Sequence, residues 1–365
     1  MLLRFLLPIF LAAGLLPAED ATLRWIQPPS PQLEVDGLPW YGQNGGEFYR
    51  LPVSLKDTFR KPVWDLAQEP SGGRIRFRTN SAVLAIRLEY PEPPAMGNMH
   101  SFGQSGVDLY ADGVYRGTAV ADKDAKPGKT YEHVYFKDRP RTEREIVLYL
   151  PLYMGVKVLG IGVAPDAQLR PARPFALSKP VVFYGTSITQ GGCASRPGMS
   201  YQAILGRDLN LDFVNLGFSG NGLGEPEVAR NVASIDASCF VLDFAQNNPT
   251  VDSLRDAYAP FIETVRSKHP ETPIVAITPI YAVSDSWEEG NARVQGMREL
   301  IRRVAAQRIA AGDRRLEIVE GTDLLGPSRG AGLVDGVHPN DLGFQWMADG
   351  LSPRLAKMLN LVPSR

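Results

Sequence analysis

Two hydrophobic periodicities divide the chain. Between residues 20 and 165, apolar and polar side chains alternate in short runs: EFYRLPV (47–53), RIRFRT (74–79), AVLAIRLEY (82–90), GVDLYAD (106–112), TYEHVYF (130–136), EIVLYL (145–150) and VKVLGIGV (156–163). Alternation puts successive side chains on opposite faces of a strand, so these runs predict strands with one buried face. Ser71-Gly72-Gly73, Asp112-Gly113 and Pro127-Gly128 separate them. Asp112-Gly113 predicts a two-residue hairpin, because both residues tolerate the positive φ that such a turn requires. The expectation for 20–165 is an all-β, jelly-roll-like sandwich. Residues 164–180 hold four prolines and no period, which sets a linker at 166–179. From 180 to 362 the pattern changes. Short, mostly apolar runs at 181–185, 213–217, 239–244, 273–280 and 316–321 predict buried parallel strands. Between them, Leu254, Tyr258, Phe261 and Val265 share one helical face within 252–268, as do Val294, Met297, Ile301 and Val304 within 291–311. A last helix is predicted from about Asp341 to Leu359. Strands alternating with helices predict an α/β, flavodoxin-like domain with a five-stranded parallel sheet.

Composition narrows the function classes. With 44% hydrophobic and 22% charged residues, the chain is not a disordered one. Lys plus Arg total 39 against 40 Asp plus Glu, which gives no electrostatic case for nucleic acid or an anionic membrane as partner. Two cysteines, Cys193 and Cys239, cannot form a disulfide scaffold; two separate buried thiols are expected, with pairing in an oxidising compartment the alternative. The four histidines, at 100, 133, 269 and 338, form no HxH or HExxH pair, so no metal centre and no cofactor are expected. Residues 1–18 carry one cation, Arg4, then an apolar run broken by Pro8, then Ala18. That is the layout of a signal peptide, too short for a bilayer span, and it predicts a secreted or periplasmic protein without a stable membrane anchor. No oligomeric state is specified by the pattern.

The polar residues with chemical potential follow the predicted strands. In an open α/β sheet, ligands bind beyond the carboxyl ends of the strands. Ser187 follows the first apolar run, Gly217–Gly222 the second, Asn247 the third, a polar loop with Trp287 the fourth, and Asp335-Gly336-Val337-His338 the fifth. Serine needs a base to become a nucleophile, and His338 is the histidine in such a loop. Asp335 stands three residues earlier, where one turn brings its carboxylate to the imidazole. The N–H groups of Ser187 and Gly220 and the amide of Asn247 are candidate donors to an oxyanion. Taken singly, each residue has a plainer reading: Ser187 as a helix cap, the glycines and Asn247 as turn formers, His338 as a surface histidine. The long loop 90–106, rich in Pro and Gly, carries His100, and together with Trp287 it is a candidate for shaping the substrate site.

These residues resemble the SGNH (GDSL-like) hydrolase superfamily. Ser187 in YGTSITQGG, Gly220 in NLGFSGNG, Asn247 in LDFAQNN, and Asp335 with His338 in DGVHPND match its blocks, over about residues 178–360. Two departures stand out: GTS in place of GDS, and Ala245-Gln246-Asn247-Asn248 in place of GxND. SGVDLYADG (105–113) resembles the GxDLY-type β module that precedes one subgroup. The resemblance implies a Ser187–His338–Asp335 triad, an oxyanion hole of Ser187, Gly220 and Asn247, and ester chemistry on a small or polymeric substrate. Relatives of this layout include carbohydrate deacetylases and an acyltransferase. The expectation is a secreted esterase that removes short acyl groups, acetyl above all, from a glycan. An acyltransferase with the same triad, or a catalytically silent glycan-binding protein, are the alternatives.

Overall fold

The computed structural model describes residues 23–362, apart from the side chains at 288–291; the leader at 1–18 lies outside the described residues. In chain order the amino-terminal half contains β1 (Arg24–Ile26), β2 (Glu34–Asp36), α1 (Lys61–Ala67), β3 (Arg74–Thr79), β4 (Leu84–Glu89), α2 (Ser101–Ser105), β5 (Val107–Ala111), β6 (Val114–Ala119), β7 (Thr130–Phe136), β8 (Arg144–Tyr149), β9 (Lys157–Val163) and β10 (Leu169–Arg170). One antiparallel sheet runs β1-β9-β4-β7 and the other β10-β3-β8-β5-β6, with β2 also on β3. Ile86, Leu88, Ile161 and Val163 of the first sheet pack against Ile75, Phe77, Leu109 and Leu148 of the second. Asp112 and Gly113 both take positive φ, +49° and +76°, and close the β5–β6 hairpin as their sequence requires.

Alternation had a second meaning in β3. Ile75 and Phe77 point into the sandwich, but Arg74 and Arg76 are buried too. Arg74 pairs with Asp212 and lies over Phe213, and Arg76 stacks on Phe175. The outer face of this sheet is therefore an interface with the second half of the chain.

The run 47–53 is not a strand. Arg50, fully buried, instead donates to the carbonyls of Leu66, Glu69, Asn215 and Gly217. Its guanidinium ties a non-repetitive segment together, where a strand would have used ladder bonds. Trp40, Leu51 and Phe59 from this region, with Val63 and Ala67 of α1, enter the core beside Val214, Leu216 and Val228. The expected linker is likewise engaged, since Leu169–Arg170 pairs with β3 and Phe175 lies beneath Arg76.

The second half alternates β11 (Val181–Gly185), α3 (Ser187–Gln190), α4 (Tyr201–Leu209), β12 (Phe213–Gly217), α5 (Pro226–Val232), β13 (Cys239–Asp243), α6 (Val251–Lys268), β14 (Ile274–Ile277), α7 (Glu288–Ala310), β15 (Leu316–Val319), α8 (Gly321–Leu324) and α9 (Asp341–Leu359). Its sheet is wholly parallel in the order β12-β11-β13-β14-β15. Val182 and Tyr184 face the layer containing α5, α6 and α7, while Val181 and Phe183 face α4 and α9. Both faces are covered, which is why these strands read as mostly apolar runs without alternation. Gly185 pairs with Gly217 on one side and Asp243 on the other, so three strand ends finish level. The order reverses around β11, and that is where such sheets open a crevice for ligands. Among the described residues no helix is long and apolar enough to cross a membrane.

Candidate active site

The first strand end delivers Ser187. Thr186, not Ser187, caps α3, its hydroxyl accepting from the Ile188 N–H at 3.3 Å. The Ser187 hydroxyl is thereby left for another partner, and Oγ lies 2.8 Å from His338 Nε2. The Ser187 carbonyl accepts from the N–H groups of Gly191 (3.0 Å) and Gly192 (2.8 Å) and from the Tyr153 hydroxyl (3.2 Å). The tight passage under this turn requires Gly217, where a Cβ would lie 2.2 Å from the Gln190 nitrogen.

The loop after β15 supplies the other two groups. His338 Nδ1 is 2.8 Å from Asp335 Oδ2. Asp335 Oδ1 accepts from the backbone N–H of Val337 (3.1 Å) and of His338 (2.9 Å), so the turn that Gly336 permits at φ +83° also aims the carboxylate. Asp335 Oδ2 accepts a further bond from Asn98 Nδ2 at 2.9 Å, from the β half of the chain. Burial raises the Asp335 carboxyl, but the donors from His338 and Asn98 outweigh it and hold the group well below the usual carboxylate range. The carboxylate stays ionised, as needed to stabilise an imidazolium beside it.

The second and third strand ends bring up the two other candidate donors. Gly220 sits at φ +66° in the turn after β12, with open space where a Cβ would stand. Asn247 Oδ1 accepts from the Gly222 N–H at 3.1 Å, which assigns the orientation of the amide. Its Nδ2 then has no acceptor among the described residues. Asn248 is buried in the scaffold and reaches the Leu223 carbonyl. Asp243, fully buried beneath α3, accepts from Thr189 and Tyr201; burial pushes its carboxyl up to about 7, and it is a structural group.

The loop 90–106 does reach the site, but through Asn98. His100 instead accepts from the Phe102 N–H as the cap of α2 and stacks on the Phe102 ring at 5.1 Å. Trp287 is 67% exposed at the end of the turn Val283–Ser286, and that turn is tied to the Asp335 loop by the Val283 N–H donating to the Gly336 carbonyl at 2.7 Å. Both cysteines are free thiols. Cys193 donates to the Asn98 carbonyl at 3.1 Å, and burial with Asp335 nearby pushes its thiol up to about 12. Ligand atoms of Cys193, Asp335 and His338 lie within 4.8 Å of one another, with Asp335 and His338 bonded to each other and Cys193 bonded to the Asn98 carbonyl.

Sequence reasoning missed Asn98, Tyr153 and the pair Asp108–Arg196. Asp108, fully buried in β5, accepts from Arg196 (2.9 Å), the Gly198 N–H (2.8 Å) and Thr118 (2.6 Å). Tyr110 bonds the same guanidinium at 2.7 Å. The polar residues of the VDLY run therefore clamp the loop that leads out of α3. The motif itself was the signal for Asp108; for Asn98 only loop length pointed the way.

Comparison with known proteins agrees with this architecture. Residues 178–356 match the model of the GDSL-like Lipase/Acylhydrolase family, and residues 23–169 match that of the N-terminus of Esterase_SGNH_hydro-type. A structure described as a GDSL-like lipase from Bacteroides ovatus is 33% identical, with 94% of this chain and 100% of that one covered and a TM-score of 0.84. The salicylyl-acyltransferase SsfX3 from a tetracycline biosynthetic pathway is 24% identical, covering 94% and 99%, at 0.77. A family two carbohydrate esterase from Clostridium thermocellum, in complex with cellohexaose, is 18% identical, covering 80% and 93%, at 0.61. No curated protein matches the chain. With both halves matched and a full-length relative at one-third identity, the chain belongs to the GDSL-like lipase/acylhydrolase family of SGNH ester hydrolases, in its two-domain form with a GxDLY module.

Proposed function

We propose that this ester hydrolase is an exported serine esterase that removes short acyl groups, acetyl above all, from carbohydrate. The observation that carries the reading is the continuous chain from Ser187 Oγ through His338 to Asp335, with both links at 2.8 Å. His338 takes the Ser187 proton as Oγ attacks the ester carbonyl. The negative charge that develops on the carbonyl oxygen is met by the N–H groups of Ser187 and Gly220 and by the free Nδ2 of Asn247. His338 then returns the proton to the leaving alcohol. Water, deprotonated by the same imidazole, cleaves the acyl-enzyme and releases the acid. The carbohydrate part of the reading is supported by the fold shared with carbohydrate esterases, and export by the leader pattern at 1–18.

The test is Ser187→Ala on an aryl acetate, where turnover falls by several powers of ten. A variant that keeps wild-type turnover sinks the assignment. A panel of esters of graded acyl length, with acetylated glycans alongside, tests the substrate: acetate release from glycan with none from long-chain lipid esters is expected, and the reverse overturns it. The fold shared with an acyltransferase keeps one other reading in view, in which an alcohol replaces water at the acyl-enzyme. Product analysis with added acceptor alcohols separates the two. A silent glycan-binding protein would leave Ser187 unlabelled by a fluorophosphonate. Mass analysis of the protein purified from culture tests export: a mature chain starting near Glu19 is expected, and an intact leader refutes it.

A further inference from the structure

We infer that Asn98, carried by the β module, is a positioning residue of the hydrolase: its side-chain amide orients the carboxylate of Asp335, and through it the imidazole of His338. The inference rests on the Ser187–His338–Asp335 reading. Asp335 stands on a partly exposed turn. The backbone of its own loop secures only Oδ1, through the N–H groups of Val337 and His338. Oδ2, the oxygen that holds the imidazole, has Asn98 as its second partner at 2.9 Å. Without that donor, water would occupy the position and the carboxylate plane would be free to pivot about Oδ1. A group that must hold an imidazole to within about 0.5 Å gains from a fixed donor there.

The surroundings hold Asn98 in place. Its carbonyl accepts from Cys193 at 3.1 Å. Its neighbour Met99 is buried against the hydrolase core with Ile188 and Ala194. Gln104 closes the loop from below, with Oε1 accepting from the Met96 N–H and Nε2 donating to the carbonyls of Met96 and Met99. Gly103 packs so closely on Ala194 that a Cβ there would lie 2.3 Å from the Ala194 carbonyl oxygen. The Gln104 carbonyl in turn accepts from the N–H of Tyr153, whose hydroxyl donates to the Ser187 carbonyl. One loop of the β module thus touches both ends of the triad, Asp335 through Asn98 and Ser187 through Tyr153. The titratable groups facing Asp335 are His338 and Cys193, and the thiol is neutral.

The experiment uses the full chain with Asn98→Ala and Asn98→Asp, each normalised to the fraction of enzyme labelled by a fluorophosphonate. Asn98→Ala is expected to lower kcat on an aryl acetate roughly tenfold per labelled site with KM within about twofold, the split expected for an interaction that matters in the transition state. Asn98→Asp sets a second carboxylate beside Asp335. The added negative charge favours the imidazolium, so the acid limb of kcat/KM moves to higher pH. A residue with a merely structural role would reduce the labelled fraction and leave kcat per labelled site unchanged in Asn98→Ala. That result, with Ser187→Ala and His338→Ala inactive, overturns the role of Asn98 alone. Wild-type turnover by Ser187→Ala overturns the triad reading and this inference with it.

Discussion

Removing the Asp108 carboxylate should loosen the loop after α3 and the fold together. Asp108 is fully buried and accepts three bonds, from Arg196 at 2.9 Å, the Gly198 N–H at 2.8 Å and Thr118 at 2.6 Å. In Asp108→Ala, Thr118 keeps the Tyr115 hydroxyl as a partner, but the buried Gly198 N–H loses its acceptor. Arg196 loses its counter-charge while keeping Tyr110 and about one-fifth of its side-chain exposure. Breaking a buried pair from one side costs about 3–5 kcal/mol. Because Arg196 retains a partner and some solvent, the lower end, about 3 kcal/mol, is expected. Urea unfolding measures it, with unchanged slope and a lower midpoint. The control is Asp166→Ala, which removes an equally well-formed pair with Arg141 on the open surface, where no resolvable loss is expected. Equal midpoints for the two variants would refute the reasoning. Since Arg196 and Gly198 belong to the loop leading out of α3, the folded Asp108→Ala enzyme should also turn over more slowly than its control.

Three further outcomes follow from the geometry. Asn247→Ala should lower kcat by about 10²–10³ with little change in KM, as loss of one oxyanion donor does; a wild-type kcat removes Asn247 from the hole. Asp243 has a folded-state carboxyl raised by burial to about 7, so its stabilising contribution is complete below the unfolded value of about 4 and lost as pH rises through 7. Asp243→Asn should therefore gain in Tm relative to wild type between pH 5 and pH 8, and a difference independent of pH contradicts this. Arg50→Met strips the donor from four backbone carbonyls and should cost at least about 3 kcal/mol by urea unfolding; a loss under about 1 kcal/mol would mean that water replaces the guanidinium there.

The legible parts of this protein are those whose cause is local. Apolar runs flanked by helical periods marked all five parallel strands, because each strand's burial on both faces is written in its own residues, as at Val181–Gly185. The Asp335–His338 contact was legible because a three-residue turn brings the two groups within reach of each other. The segment 47–53 misled for the same reason in reverse. Alternation there is real, but Arg50 is held by carbonyls distant in sequence, and no local rule announces that.

Sequence alone determined the two-part architecture, the level rim of strand ends and the chemical types gathered on it, since periodicity and short-range turns specify each. Only the tertiary structure decided that Thr186 rather than Ser187 caps α3, that the arginines of β3 face a domain interface, and that Asn98 rather than His100 reaches Asp335. The arginine interface and the Asn98 contact depend on segments far apart in the chain, and the Ser187 hydroxyl is engaged by His338, 151 residues away. Such contacts are selected by packing, after local propensity has already allowed several partners.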